Sequence, residues 1–167
     1  MFINLTISLI HPELFQMGLD MLRKLRDMEE TEDVAEQWQS VCTGIAVICN
    51  RRTPHHRDSK GRREWFDILI SYSDDEISPR LLIGNVGLDL QYSSGTVVGF
   101  CGSVLGHEVQ SRELQNRICY AHFMRESVRQ CLETEPAGWV WRSQYLPLQE
   151  VDDGAVGMDA DEDAMEL

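Results

Sequence analysis

From residue 41 onward the chain breaks into short runs rich in β-branched and aromatic residues, each closed by a turn signal, and this rules out a helical body. CTGIAVICN, EWFDILISY, TVVGFCG and NRICYAHFM each read as a strand, and VLGHEVQ as a shorter one. LLIGNVGLDLQY gives one or two strands broken at Gly84-Asn85. SDDEISPR and SSG supply turns, and SRELQ a loop. RRTPHHRDSKGRR reads as a loop carrying six Arg or Lys residues. Short strands at this density, about seven in all, indicate a sandwich or barrel, with jelly rolls among the choices. MRESVRQCL begins a short helix, and EPAGWVWRSQYLPL closes the domain irregularly, with its two Trp residues expected to cap the core.

Ahead of this β stretch, Pro12 suits the first turn of a helix, and Leu14, Met17, Met21, Leu22 and Leu25 recur at three- and four-residue spacing. The spacing predicts one long amphipathic helix over residues 12–29, packed outside the sheet, with 29–36 as a polar connection. The fold class expected is therefore mainly β (α+β). With 167 residues and 43% hydrophobic content the chain can bury one core, which we place in a single domain over 1–149. The net charge of −13 is uneven, because residues 150–167 hold eight acidic residues and no basic one. That stretch reads as a solvated, disordered tail. Five cysteines with no Cys-x-x-Cys pair argue against a disulfide framework or structural zinc, and for a reducing, intracellular setting. MFINLTISLI lacks a basic n-region and meets His11-Pro12 within ten residues, so neither a signal peptide nor a membrane span is expected, and the protein should be soluble.

His56-Arg57-Asp58 carries the chemistry. In an extended segment residues i and i+2 point to one face, so the imidazole and the carboxylate can converge on one metal ion while His55 points away. A third ligand must come from another strand, and His107 in VLGHEV is the downstream candidate besides His122. Two His and one carboxylate form a facial triad that leaves three positions open, as non-haem iron oxygenases need. Such a site suits iron(II), 2-oxoglutarate and O₂. The far carboxylate of the cosubstrate calls for a fixed cation able to bind in a bidentate manner, and Arg117, ten residues beyond His107, fits. Alternation from Arg117 puts Cys119, Ala121 and Phe123 on its face and His122 on the other, which demotes His122. Other motif readings fail in detail: Arg63 stands where a kinase catalytic loop needs Asn, and no Gly-x-Ser-x-Gly elbow or zinc-deaminase pattern is present.

TPHHRDSKGRREWFDILISY, LDLQYSSGTVVGFCGSVLGHEV and NRICYAHFMRESV together resemble the fungal branch of the TET/JBP-like 2-oxoglutarate-dependent oxygenases, over roughly residues 41–130. The resemblance implies a double-stranded β-helix core, iron ligation by His56, Asp58 and His107, and 2-oxoglutarate binding by Arg117. It also implies oxidation of methyl groups on nucleic-acid bases, 5-methylcytosine among them, and a nuclear address if the substrate is DNA. A base would have to leave the duplex to reach the metal. The basic loop, with Arg52, Arg57 and Lys60 as contacts, would then touch DNA or RNA phosphates. The negative net charge favours a second reading, the same chemistry on a protein or small molecule. A non-catalytic β-barrel binding module is the third.

Overall fold

The computed structural model of the chain describes residues 2–73, 79–110 and 116–141. The turn expected within SDDEISPR falls largely on 74–78, the loop SRELQ on 111–115, and the acidic tail on 150–167. All three lie outside the described residues.

Eight strands form two antiparallel sheets among the described residues: β1 (Gly44–Cys49), β2 (Thr53–His56), β3 (Asp67–Ser73), β4 (Arg80–Ile83), β5 (Leu88–Gln91), β6 (Val97–Phe100), β7 (His107–Gln110) and β8 (Arg117–Phe123). One sheet has the order β1-β8-β3-β6 and the other β2-β7-β4-β5. This interleaving is compatible with a jelly roll. The strands expected after residue 41 are present, and the break at Gly84-Asn85 is a 3-10 turn over Gly84–Val86, closed by Gly87 at φ 66°. One more strand, β2, forms inside the segment read as a loop. Its apolar content is too low to mark it, and its pairing with β7 supplies what periodicity does not.

Period-2 alternation sorts the residues into two cores. Leu69, Leu81, Ile83, Tyr92, Phe100, Val109 and Cys119 pack between the sheets. Ile68 faces the other way, into a cluster with Ile3, Ile7, Leu14, Met17 and Met21 from the helices that cover the outer face of the first sheet. The helix expected over 12–29 starts at Pro12 as read and packs outside the sheet, but it ends at Arg26 as α2 (Pro12–Arg26), and a helix that was not expected, α1 (Phe2–Ile10), precedes it. Pro12 cannot donate to a preceding turn, and its ring disfavours helical backbone at His11, which adopts φ −154° and ψ 75°. The His11 ring caps α2, with Nδ1 accepting from the Leu14 N–H at 3.2 Å. The hydroxyl of Thr31 takes the Leu25 carbonyl beyond the last turn of α2, and a third helix, α3 (Glu32–Gln37), occupies most of the expected connection.

The short helix after β8 is α4 (Glu126–Cys131). The expectation that the closing Trp pair caps the core is corrected, since Trp139 and Trp141 are exposed. Trp65 is buried instead, its indole N–H donating to the Ala137 carbonyl at 3.2 Å. That bond holds the closing segment by its backbone and leaves the later indoles outside.

Candidate metal centre and cosubstrate pocket

The β2–β7 pairing places His56 directly opposite His107. Their rings lie 4.3 Å apart between centroids, and Phe100 meets the His107 ring edge-on at 4.8 Å. Each imidazole is oriented by its own strand: His56 Nδ1 lies 2.9 Å from the Pro54 carbonyl and His107 Nδ1 lies 3.0 Å from the Leu105 carbonyl. A carbonyl only accepts, so each Nδ1 carries a proton, and the neutral form of either ring presents its lone pair on Nε2. The Nε2 atoms face one carboxylate, with His56 Nε2 3.7 Å from Asp58 Oδ1 and His107 Nε2 3.8 Å from Asp58 Oδ2. The three ligand atoms all lie within 4.8 Å of one another. Burial holds the His107 imidazole below its ordinary pKa, which keeps it neutral and able to donate its lone pair. His55 does turn away, its ring lying over Gly84 and Gly106.

Asp58, His107 and Arg117 line one cavity of about 360 Å³, together with Leu69, Val109 and Cys119. Arg117 is buried, and its Nε and Nη1 have no hydrogen-bond partner among the described residues. Its backbone is fixed by Asn50, which donates its N–H to the Arg117 carbonyl at 2.8 Å and accepts the Arg117 N–H on Oδ1 at 2.7 Å. Asn50 adopts φ 47°, a left-handed conformation that asparagine tolerates better than most residues. The guanidinium lies 5.2 Å from the Tyr92 ring centroid, and burial keeps that phenol protonated by raising its pKa. A buried guanidinium with idle N–H groups is costly unless an anion reaches it. The donor set therefore fits both groups: two oriented imidazoles and a carboxylate suit a divalent ion, and the fork of Arg117 suits a carboxylate.

Alternation along β8 is as expected, with Cys119, Ala121 and Phe123 lining the cavity alongside Arg117. His122 is buried on the opposite face, beside Phe2, Ile3 and Ile70. Of the three basic residues expected near a substrate, Arg57 and Lys60 line the cavity. Arg52 does not. It lines a neighbouring groove that shares Thr53 and Val109 with the cavity, because alternation along β2 turns it outward.

Two cavity residues escaped the sequence reading. Arg125 lines the cavity next to Phe123, its guanidinium 4.3 Å from that ring centroid. Asp67, the first residue of β3, points inward with Leu69. Burial, with Asp58 nearby as a second cause, pushes the Asp67 carboxyl up to about 7, against the pull of the Gly102 N–H and Arg125. The alternation of DILISYS was the signal for Asp67, since it sets Asp67 on the same face as Leu69.

Two antiparallel sheets that bring His56, Asp58 and His107 within 4.8 Å of one another, beside a cavity lined by Asp58, His107 and the buried Arg117, form a site that could hold a metal ion and a carboxylate. The family model of the Tet/JBP domain, described as the oxygenase domain of the 2OGFeDO superfamily, matches residues 2–126, and the chain belongs to this family. Membership makes iron(II) and 2-oxoglutarate the implied cofactor and cosubstrate. No curated protein matches the chain. No helix among the described residues is long and apolar enough to cross a membrane.

Proposed function

We propose that the chain oxidises methyl groups on nucleic-acid bases, with His56, Asp58 and His107 holding iron(II) and Arg117 holding 2-oxoglutarate. The observation that carries the dioxygenase part is Arg117: a buried residue whose Nε and Nη1 have no hydrogen-bond partner among the described residues lines the same cavity as Asp58 and His107. When bound, iron(II) with 2-oxoglutarate supplies O₂-driven oxidation of a C–H bond, coupled to decarboxylation of the cosubstrate to succinate. The remaining work falls to the side chains. His56 and His107 present neutral Nε2 atoms, Asp58 supplies the anionic ligand, and Arg117 fixes the far carboxylate. Leu69, Val109 and Cys119 keep the cavity wall apolar and limit water.

The nucleic-acid part rests on charge in the cavity lining. Arg57, Lys60 and Arg125 line the cavity, and would hold phosphates while a flipped base enters. The net charge of −13 favours the second reading, a protein or small-molecule substrate. Succinate release with iron(II) and 2-oxoglutarate, measured against 5-methylcytosine oligonucleotides and methylated peptides, separates them. Stimulation by the oligonucleotides alone is the expected result. Stimulation by peptides alone would replace the substrate, and no succinate under any condition would leave a binding module.

Two further outcomes follow from these roles. Arg117→Lys keeps the charge but loses the planar fork. We expect the 2-oxoglutarate KM to rise about ten- to hundredfold, the equivalent of one charge-assisted hydrogen bond, with iron affinity unchanged. Equal loss of iron and 2-oxoglutarate binding would show that Arg117 supports the fold instead. Oligonucleotide binding through two or three phosphate contacts should weaken roughly 10- to 40-fold between 50 and 200 mM salt. A fluorescence-anisotropy titration that shows no salt dependence would speak against the phosphate contacts.

A further inference from the structure

Asp58 differs from the two histidines in how it is held. His56 and His107 sit on paired strands, whereas Asp58 lies beyond the end of β2, and its side chain is 46% exposed. Its backbone is tied to the opposite loop by one bond, the Asp58 N–H donating to the Gly102 carbonyl at 3.0 Å. Gly102 also borders the second acid, since Asp67 Oδ2 would lie 2.5 Å from a Cβ built on this glycine. Both carboxyl groups close over the Gly102 Cα. A Cβ built there would meet Asp58 Oδ2 and Asp67 Oδ2 far inside the 3.0 Å that real Cβ atoms keep, so no other residue fits without moving one of them.

We propose that Gly102 and Asp67 are positioning residues for Asp58: one peptide unit, gripped from both sides by two carboxyl-bearing residues, sets where the metal-binding carboxylate stands. Gly102 accepts from the Asp58 backbone, lies against the Asp67 carboxyl, and leaves room for both side chains. Asp67 in turn comes from the start of β3 in the first sheet, where it pairs opposite Phe100 of β6, two residues before Gly102. The bracket therefore transmits the position of the first sheet to a ligand that the second sheet leaves untethered. This inference rests on the proposed metal reading of His56, Asp58 and His107.

The test is a Co(II) titration of the metal-free full chain, followed by calorimetry and by the visible d–d absorption of the bound ion. Asp67→Ala and Gly102→Ala should weaken Co(II) binding about 10- to 100-fold, the range for partners that orient a ligand, and should change the band shape. Asp67→Asn keeps the size and shape of the group that packs against Gly102, so it should recover most of the affinity. Thermal unfolding of the metal-free variants controls for the fold. If Gly102→Ala does not fold, the Asp67 pair decides. Wild-type affinity and spectrum in Asp67→Ala would overturn the inference while leaving the metal reading in place, and so would an Asp67→Asn chain as weak as Asp67→Ala. A wild-type chain that takes up no Co(II) would sink the metal reading and this inference with it.

Discussion

Asp58→Ala should reduce succinate release to the level seen without iron, and should leave the metal-free fold intact. Asp58 is the only anionic group of the cluster and the only one whose two oxygens face both imidazoles. Two neutral nitrogens without it cannot retain a divalent ion against water at micromolar iron. Its side chain is half exposed, so truncation empties no core, and the change in unfolding free energy should stay within about 0.5 kcal/mol. Asp67 should become easier to ionise, since Asp58 is its second-largest source of pKa elevation. Differential scanning calorimetry with and without iron(II) gives the check. The wild type should gain melting temperature on metal addition, because the ion binds only the folded state, and the variant should gain none. A variant that is still stabilised by iron would mean that the ligand set is different.

The second large effect concerns stability. His11→Ala should cost roughly 2–4 kcal/mol, from a lost helix cap, a lost hydrogen bond and a cavity under the sheet. The His11 ring is buried where α1 ends and α2 begins, with Nδ1 accepting from Leu14 N–H and Nε2 donating to the Glu64 carbonyl at 3.0 Å. Only the neutral ring can do both, and burial accordingly lowers its pKa from the ordinary 6.5. His107 and His122 are lowered by burial as well. A histidine whose folded pKa is depressed contributes stability that is complete above 6.5 and is lost as pH falls through the folded value. Asp67 has the opposite sign. Its folded pKa of about 7 against an ordinary 3.8 makes the folded state the better proton binder between those values. The histidines and Asp67 act with opposite sign, so the His11 contribution is read from the difference between two chains. Between about pH 7.5 and 5.5 the urea midpoint of His11→Ala should approach that of the wild type as the pH falls, because the wild type loses the His11 contribution on acidification. A gap between the two midpoints that does not change with pH would refute the assignment.

How much of this was legible beforehand divides by the range of the interaction. Strand positions after residue 41 followed from local alternation, and so did the inward face of β8, because a period of two residues is a property of consecutive side chains. The same rule put His56 and Asp58 within reach of one point and turned His122 away. Other features were not legible. Pro12 marked the start of α2, but nothing local marked α1 ahead of it, the strand β2, or the His11 ring that reaches Glu64 across 53 residues. The inward turn of Arg125 and the placement of Arg52 in a neighbouring groove depend on which strand ends flank the cavity. The burial of Trp65 in place of the later indoles was set by one bond to Ala137.

By itself, then, the sequence determined most of the strands after residue 41, the start of α2, the alternation along β8 and the choice of the four residues proposed to hold iron and 2-oxoglutarate, since these rest on local periodicity and on the order of a few residues along the chain. Only the tertiary structure decided that Asp67 stands beside Asp58. Eight residues of irregular chain separate the two, and what joins them is a glycine more than thirty residues further on, brought between them because β3 pairs with β6. Such a contact leaves no periodic trace in the sequence, because it arises from strand pairing rather than from the spacing of neighbours along the chain.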